Sequence, residues 1–281
     1  MLFRPMESLY TRLSRDLFFH ILVVAVVPAL FMGIGVYYQF KVIVEQEQKQ
    51  RLNWQMRHTQ IAADRFLEEH MAALSLLFCS HSVEEFNDPK RLQHIFTKLK
   101  QEYPNFIDLG LVDSTGRQNT YDGPYKLLGR NYLGEEWFQD VMVLGTFISD
   151  VFFMKHHQIP HLLMAVKSPS TGKGGFWVIR ATINSEVLDH IAGAMNWGDE
   201  DDTFILNNRS ILQNTSRFHG SVLNSYYMPM HETAQHVVWT EEIEVLTHEE
   251  KPRTNKAAVI YTSLQNKNWT LTHIQPYSEM Q

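Results

Sequence analysis

The sequence predicts an α+β protein in which one membrane-spanning helix and a long stalk helix precede two tandem modules built on antiparallel sheets. Three observations indicate this order. The run Leu17–Phe40 contains no Asp, Glu, Lys or Arg, and residues 41–77 contain neither Gly nor Pro. An apolar strand, a polar turn and a short returning strand occur at residues 109–119 and again at 203–214. Such a repeat indicates two similar units in one chain.

The apolar run Leu17–Phe40 is long enough to cross a bilayer. About 20 apolar residues in a helix span the hydrocarbon core, and a helix satisfies its own backbone groups there. Pro28 lies inside the run and removes one backbone donor, so we expect a bend at this position. Tyr37 and Tyr38 resemble the aromatic belt found at a membrane surface.

A cleaved signal peptide is the alternative for the same residues. Arg4, Arg12 and Arg15 fit its basic start. The apolar run is longer than the usual core of such peptides, which is about 7–15 residues, and it ends without small residues at a cleavage site. Positive charges flank both ends of the run, so charge alone does not predict the orientation. We expect a short cytoplasmic tail and the large remainder outside, because this is the usual outcome for a long translocated domain.

Composition excludes several classes of protein. The formal net charge is −6, from 25 Lys and Arg against 31 Asp and Glu, and no basic patch predicts a nucleic-acid partner. Cys79 is the sole cysteine, which rules out an intrachain disulfide framework. An exterior domain without disulfides fits a bacterial envelope.

The segment after the span predicts a stalk helix. Its apolar residues recur at nearly helical spacing, whereas Glu45–Arg51 is fully polar. Two interpretations remain open: an ordinary surface helix, or a stalk through which two copies form a homodimer. The residues in the predicted apolar stripe are Ile43, Leu52, Met56, Ile61, Ala62, Phe66, Ala73 and Leu77.

Both modules begin with a change from helical to strand-like spacing. In the first, Asp88 and Pro89 break a helix that covers residues 81–100, because Asp caps and Pro starts a helix well. Gly145 is expected to end a short helix at Glu135–Val143. The remaining elements of the first module are strands at 106–112, 117–121, 146–154, 161–167 and 175–183 and a helix at 185–194. Those of the second module are a strand, turn and returning strand within 203–214 and strands at 237–246, 256–264 and 269–275.

This ordered series resembles the double Cache sensor domains of bacterial transmembrane receptors, whose two modules have PAS-like sheets. The resemblance covers residues 41–275, and no single motif in it is specific. Leu111–Arg117 looks like the strand and turn of the family, and Trp137-Phe138 like its aromatic pair on a short helix. Ile148–Phe152, Leu163–Pro169 and Gly175–Ile179 are similar to the strands that follow.

The resemblance implies a small-molecule site in the membrane-distal module. From the residues themselves we expect no cofactor, no metal and no catalytic residue. Amino-acid-binding members have an Arg two residues before the aromatic pair and an Asp on the last strand. Glu135 and Arg180 occupy these places here, so both charges are reversed. Because Arg binds carboxylates in a bidentate way, we expect an organic acid or another small anion. The candidate ligand-binding residues are Tyr121, Tyr132, Trp137, Phe138, Phe152, Lys167 and Arg180; packing in the core or on a solvated strand face is the alternative for each.

No motif for catalysis is present in the sequence, which lacks a phosphate-binding Gly-rich loop and a nucleophile elbow. His156, His157 and His161 have the composition of a weak metal site, and solvated loop histidines are the favoured interpretation. The acidic run Asp199–Asp202 is interpreted as a solvated linker between the modules in preference to a Ca²⁺ site.

The expected function is the extracytoplasmic ligand-sensing region of a receptor in the inner (plasma) membrane, with a histidine kinase as the output after a second span beyond Gln281. A chemotaxis receptor, a cyclic-dinucleotide enzyme or an anchored binding protein without signalling are the alternatives. The expected division is a tail at 1–16, the span at 17–40, the stalk at 41–78, the distal module at 79–195, the proximal module at 196–275 and the start of a connection at 276–281.

Overall fold

The computed structural model describes residues 6–154, 159–168, 175–227, 237–246 and 252–276. Two compact units divide the chain, Met1–Leu52 and Asn53–Gln281. The predicted α+β class is confirmed, since a long N-terminal helix is followed by two antiparallel sheets.

The first helix, α1 (Met6–Ser80), includes the apolar run and continues without interruption through Pro28. Among the described residues this is the one helix that is long and apolar enough to cross a membrane. Its side chains between Leu17 and Ile43 are exposed. The bend at Pro28 stays a prediction.

Within the second unit, one face of α1 is buried. The predicted apolar stripe is wrong in part, because some of its residues are not on this face. The buried residues Met56, Ala63 and Leu67 are seven and four residues apart, the spacing that keeps side chains on one side of a helix. Ile61 remains 49% exposed. The run Ile61-Ala62-Ala63 is apolar around the helix, so hydrophobicity alone did not identify the face that packs.

The helix break predicted at residues 87–89 is confirmed. Helix α2 (Val83–Asn87) has a capping box between Ser82 and Glu85. Helix α3 (Pro89–Glu102) begins at Pro89, and the Asp88 carboxylate accepts the backbone N–H of Lys90 at 2.9 Å. Leu92, Ile95, Phe96 and Leu99 form the buried face of α3.

The first sheet has six strands in the order β2-β1-β6-β5-β3, with β4 paired to β5. All pairs are antiparallel. Helix α4 (Glu136–Leu144) follows β2 and ends at Gly145, whose φ of 82° suits glycine. The strands are β1 (Phe106–Val112), β2 (Gln118–Asp122), β3 (Thr146–Ile148), β4 (Phe152–Phe153), β5 (Pro160–Lys167) and β6 (Val178–Asn184).

The single strand predicted at Thr146–Met154 is wrong, because residues 149–151 separate β3 from β4. The Ser149 hydroxyl accepts the backbone N–H of Leu163, and the backbone N–H of Val151 donates to the side chain of Gln213 at 2.8 Å. These side-chain bonds replace ladder bonds, so the strand is interrupted where it approaches the second sheet.

The second sheet has the order β7-β10-β9-β8 and follows helix α5 (Val187–Gly193). Its strands are β7 (Asp202–Asn207), β8 (Val237–Leu246), β9 (Pro252–Ser263) and β10 (Trp269–Pro276). The core on this sheet includes Phe204, Leu206, Val259 and Ile274. The predicted strands 237–246, 256–264 and 269–275 are confirmed with small shifts at their ends.

The interpretation of Asp199–Asp202 as a solvated linker is wrong for its last two residues. Asp201 and Asp202 are each 1% exposed. The Asp202 carboxylate accepts hydrogen bonds from the Ser216 hydroxyl, from His219 Nδ1 at 2.7 Å and from the backbone N–H of Arg217 and Phe218. Because residues 216–219, which follow β7 in the chain, supply these partners, the carboxylate is stable away from water.

Candidate functional site

A cavity of about 1370 Å³ lies against the first sheet and extends to turns of the second. The first sheet and its connections provide most of the wall, and the turns after β7 and before β10 provide the rest. The residues lining it are Pro124, Tyr125, Lys126, Leu127, Arg130, Tyr132, Glu135, Glu136, Trp137, Asp140, Phe147, Ser149, Asp150, Phe152, Phe153, Met154, Leu163, Arg180, Asn208, Arg209, Lys267 and Asn268.

Arg180 on β6 forms a buried ion pair with Asp108 on the neighbouring strand β1. Arg180 Nη2 lies 2.9 Å from Asp108 Oδ1 and 3.1 Å from Oδ2. The register explains the contact: Arg180 is opposite Gly110, and Asp108 is opposite Thr182, so the two side chains are diagonal neighbours on one face. The pair lies at the sheet side of the cavity, with Arg180 2% exposed and Asp108 0%.

Asp108 accepts hydrogen bonds from several donors, whereas Arg180 has an N–H group that is not used in the ion pair. Besides Arg180, Asp108 accepts the backbone N–H of Thr182 at 2.7 Å and the hydroxyl of Tyr121 at 3.3 Å. Nε of Arg180 has no hydrogen-bond partner among the described residues. Burial disfavours the charged guanidinium, but the adjacent Asp108 carboxylate together with Tyr132 and Tyr121 outweighs this effect and raises the pKa of Arg180. Arg180 is therefore a buried cation with at least one N–H left for a ligand.

Tyr132 connects the ion pair to the aromatic wall. Its hydroxyl donates to Gln118 Oε1 at 2.7 Å, and Gln118 fills the space over Gly110, where an added Cβ would clash with Gln118 Nε2. The Tyr132 ring meets Trp137 edge to face, with centroids 5.0 Å apart. Burial raises the pKa of Tyr132, so its hydroxyl stays a neutral donor.

Helix α4 separates core residues from cavity residues. Phe138 and Val141 are its buried residues, while Glu136, Trp137 and Asp140 line the cavity. The spacing 136, 137 and 140 puts these three side chains on one side of the helix. Glu135 precedes the helix and pairs with Arg130 at 3.0 Å, so these two cavity charges neutralise each other.

Asp150, between β3 and β4, links the cavity to the second sheet. Its carboxylate accepts hydrogen bonds from Asn207 Nδ2 at 2.8 Å and from Trp269 Nε1 at 2.9 Å. Lys267 Nζ and Arg209 Nη2 each lie 3.4 Å from it. Burial opposes the charge of Asp150, but the bonds from Trp269 and Asn207 and the charge of Lys267 outweigh it and lower its pKa.

The structure brings four of the seven sequence-predicted site residues together in the cavity wall: Tyr132, Trp137, Phe152 and Arg180. The other three have different contacts. Phe138 packs in a core with Val141, and Tyr121 donates to Asp108 behind the ion pair. Lys167 Nζ donates to the carbonyl oxygen of Met142 at 2.8 Å.

Sequence reasoning missed Asp108, Asp150, Arg209 and Lys267. Asp108 did leave a signal, because it is the sole charged residue in the apolar strand Phe106–Val112. A charge there requires a buried partner. Arg209 and Lys267 lie in turns far away in sequence, and no local pattern relates them to the first sheet.

The histidine candidates do not assemble into a metal site within the described residues, where no group of three metal-ligating side chains occurs. His156 and His157 lie outside the described residues. The interpretation of His161 as a solvated loop residue is wrong, since it is 0% exposed on β5 and its Nε2 bonds with the Tyr125 hydroxyl.

Solved structures with the same fold are extracellular ligand-binding domains. The chain resembles the ligand-binding domain of the amino-acid chemoreceptor PctC of Pseudomonas aeruginosa in complex with GABA, at 15% identity and a TM-score of 0.61, over 81% of this chain and 99% of that one. It resembles the extracellular domain of a putative histidine kinase at 12% identity and a TM-score of 0.60, over 85% and 98%. It also resembles an extracellular ligand-binding receptor from Desulfohalobium retbaense at 11% identity and a TM-score of 0.59, over 79% of this chain and 39% of that chain.

These likenesses establish the fold, which is the one expected from the resemblance to double Cache sensor domains. No protein-family model and no curated protein matches the sequence.

Proposed function

We propose that this chain is the extracytoplasmic ligand-sensing region of a membrane receptor, and that its cavity binds a small organic acid. The observation that carries the proposal is Arg180: a guanidinium that is 2% exposed, lines a large cavity and keeps Nε without a partner among the described residues. A buried donor without a partner costs free energy, so an acceptor in the cavity would stabilise it.

A carboxylate suits Arg180 better than a neutral acceptor does. Asp108 contacts Nη2 alone, so the ion pair leaves part of the planar guanidinium for a second acidic group. The ring edges and faces of Tyr132, Trp137 and Phe152 provide apolar surface for the carbon skeleton of the ligand. GABA, in the complex of the similar chemoreceptor, also has a carboxylate.

The membrane arrangement is part of the proposal. The apolar run at 17–40 would hold the chain in the inner membrane and residues 41–78 would form a stalk, through which two copies pair. The distal module at 79–195 would bind the ligand and the proximal module at 196–275 would pass the change on. We propose a histidine kinase as the output; the similar chemoreceptor domain supports a chemotaxis output as the second candidate.

Calorimetric titration of the detergent-solubilised chain with acetate, butyrate, succinate and amino acids tests the ligand class. We expect carboxylates to bind and Arg180→Gln to weaken binding by about 100-fold, as for the loss of a charge-assisted bond of about 3 kcal/mol. Arg65→Gln is the control, because Arg65 is exposed and outside the cavity wall. Binding of amino acids with inert organic acids would contradict the proposal.

A second variant tests the same site in case Arg180→Gln does not fold. Trp137 is half-buried in the wall, and Trp137→Phe keeps an aromatic ring there. If ligand lies beside it, a carboxylate changes the fluorescence of the unaltered protein and this change is lost in Trp137→Phe. An identical fluorescence change in both proteins would argue against this site.

Cys79 reports the orientation, because it is exposed and is the sole cysteine of the chain. A membrane-impermeant maleimide should label it in spheroplasts before lysis. A control with Cys79→Ser and Ser8→Cys moves the thiol to the N-terminal tail, which should be labelled only after lysis. The opposite pattern would reverse the proposed orientation, and a chain released from the membrane would support a cleaved signal peptide.

A further inference from the structure

The end of the cavity beside the second sheet contains two cations, which turns of that sheet contribute. Arg209 follows β7 and Lys267 precedes β10, and both line the cavity with Arg180 of the first sheet. We infer that Arg209 and Lys267 form a second anion-binding point, so that the ligand carries two acidic groups and is held by residues of both sheets. This inference rests on the proposed function, since it requires that a carboxylate binds at Arg180.

Both carboxylate oxygens of Asp150, the acidic residue paired with these cations, accept shorter hydrogen bonds from other residues. Asp150 accepts bonds of 2.8 Å from Asn207 and 2.9 Å from Trp269, one on each carboxylate oxygen. The cations lie further away, at 3.4 Å each. Two positive charges face one carboxylate, which leaves one positive charge in excess at this end.

Both cations have donors to spare. A guanidinium has five N–H groups and an ammonium has three. The Arg209 side chain is 70% exposed, and its contact with Asp150 is long. Lys267 Nζ donates to the carbonyl oxygen of Ile148 at 2.7 Å, which holds it at the cavity and leaves further N–H groups. The rings of Phe147 and Trp269 lie 5.7 Å and 6.0 Å from Nζ and limit where it points.

The acidic side chains in the rest of the cavity wall would repel a second carboxylate, so they favour its binding beside Arg209 and Lys267. Glu136 and Asp140 lie on α4, where they would repel an anion, and Glu135 neutralises Arg130. The chemical class is therefore a molecule with two acidic groups at opposite ends of an apolar chain. Such a ligand would contact strands and turns of both sheets at once, so its binding depends on how the two sheets are arranged.

The test compares matched acids on the full chain in detergent. Straight-chain dicarboxylates from malonate to suberate are titrated against the monocarboxylates of equal carbon number. We expect at least one dicarboxylate to bind about 10- to 100-fold more tightly than its matched monocarboxylate. Arg209→Gln and Lys267→Met should each remove this preference, because they should weaken dicarboxylate binding more than monocarboxylate binding. Arg65→Gln, in which an arginine side chain of 71% exposure is replaced, should keep it.

Each outcome has a separate meaning. Equal binding of both acids, or a preference that survives Arg209→Gln and Lys267→Met, overturns this inference while the proposed function stands. Failure of every acid to bind overturns both. Unfolding midpoints are measured for each variant; Arg209 is exposed, so its variant decides the matter if Lys267→Met proves unstable.

Discussion

Replacing Asp108 by Asn should destabilise the chain strongly, although the two side chains have nearly the same shape. Asp108 is 0% exposed and accepts bonds from Arg180, from the backbone of Thr182 and from Tyr121. Asn has one carbonyl oxygen, and its amide would present N–H groups to one of these donors. Arg180 would remain charged, buried and without a neutralising partner.

The expected cost is about 3–5 kcal/mol of the free energy of unfolding, the usual result of removing one member of a buried ion pair. Replacing both members should cost less. In Asp108→Leu with Arg180→Met the buried charge is gone, and the lost acceptor for the Thr182 N–H costs about 1–3 kcal/mol. The double variant should therefore be more stable than Asp108→Asn.

Urea unfolding in detergent, followed by tryptophan fluorescence, measures these changes. Glu69→Gln is the control, because its pair with Arg65 is exposed and 3.7 Å long and should contribute at most about 0.5 kcal/mol. A shift of the midpoint at constant slope identifies a change in stability. The reasoning would be refuted if Asp108→Asn unfolded within about 1 kcal/mol of the unaltered protein, or if the double variant were the least stable.

Three further perturbations are expected to act as follows. Burial lowers the pKa of His273 to about 4. Below about pH 6.5 the unfolded chain therefore binds more protons than the folded chain, and the free energy of unfolding should fall by about 2 kcal/mol from pH 7 to pH 5. In His273→Asn this fall should be smaller, as measured by urea unfolding at both pH values. Asp64→Ala should lower the free energy of unfolding by about 1–3 kcal/mol, since Asp64 accepts hydrogen bonds from the backbone N–H groups of Gln265 and Asn266 at 2.8 and 3.2 Å. The control is Glu68→Ala, on the exposed side of the same helix, which should lower it by less than about 0.5 kcal/mol. Gly145→Ala should lower the free energy of unfolding by about 1 kcal/mol, as measured by thermal unfolding. The reason is the backbone angle φ of 82°, since an added Cβ would meet nothing within 4 Å. A loss above about 3 kcal/mol would mean that a steric clash, and not the backbone angle, causes the destabilisation.

Local chemistry made many elements predictable. Asp88 before Pro89 specifies a helix start, and Gly145 specifies a helix end, because both act through their immediate neighbours. The alternation of apolar residues predicted most strands of both sheets. Residues 149–151 could not be predicted as a break, because their hydrogen bonds go to Gln213 and Leu163, which are distant in sequence.

For the cavity, local sequence patterns predicted two features correctly: an arginine on β6 and an aromatic pair on a short helix. Tertiary structure decided the rest. The register of β1 against β6 paired Arg180 with Asp108, and the approach of two turns of the second sheet brought Arg209 and Lys267 to the same cavity. Side chains on separate strands become neighbours through backbone pairing and packing, and neither is encoded in the residues next to them in the chain.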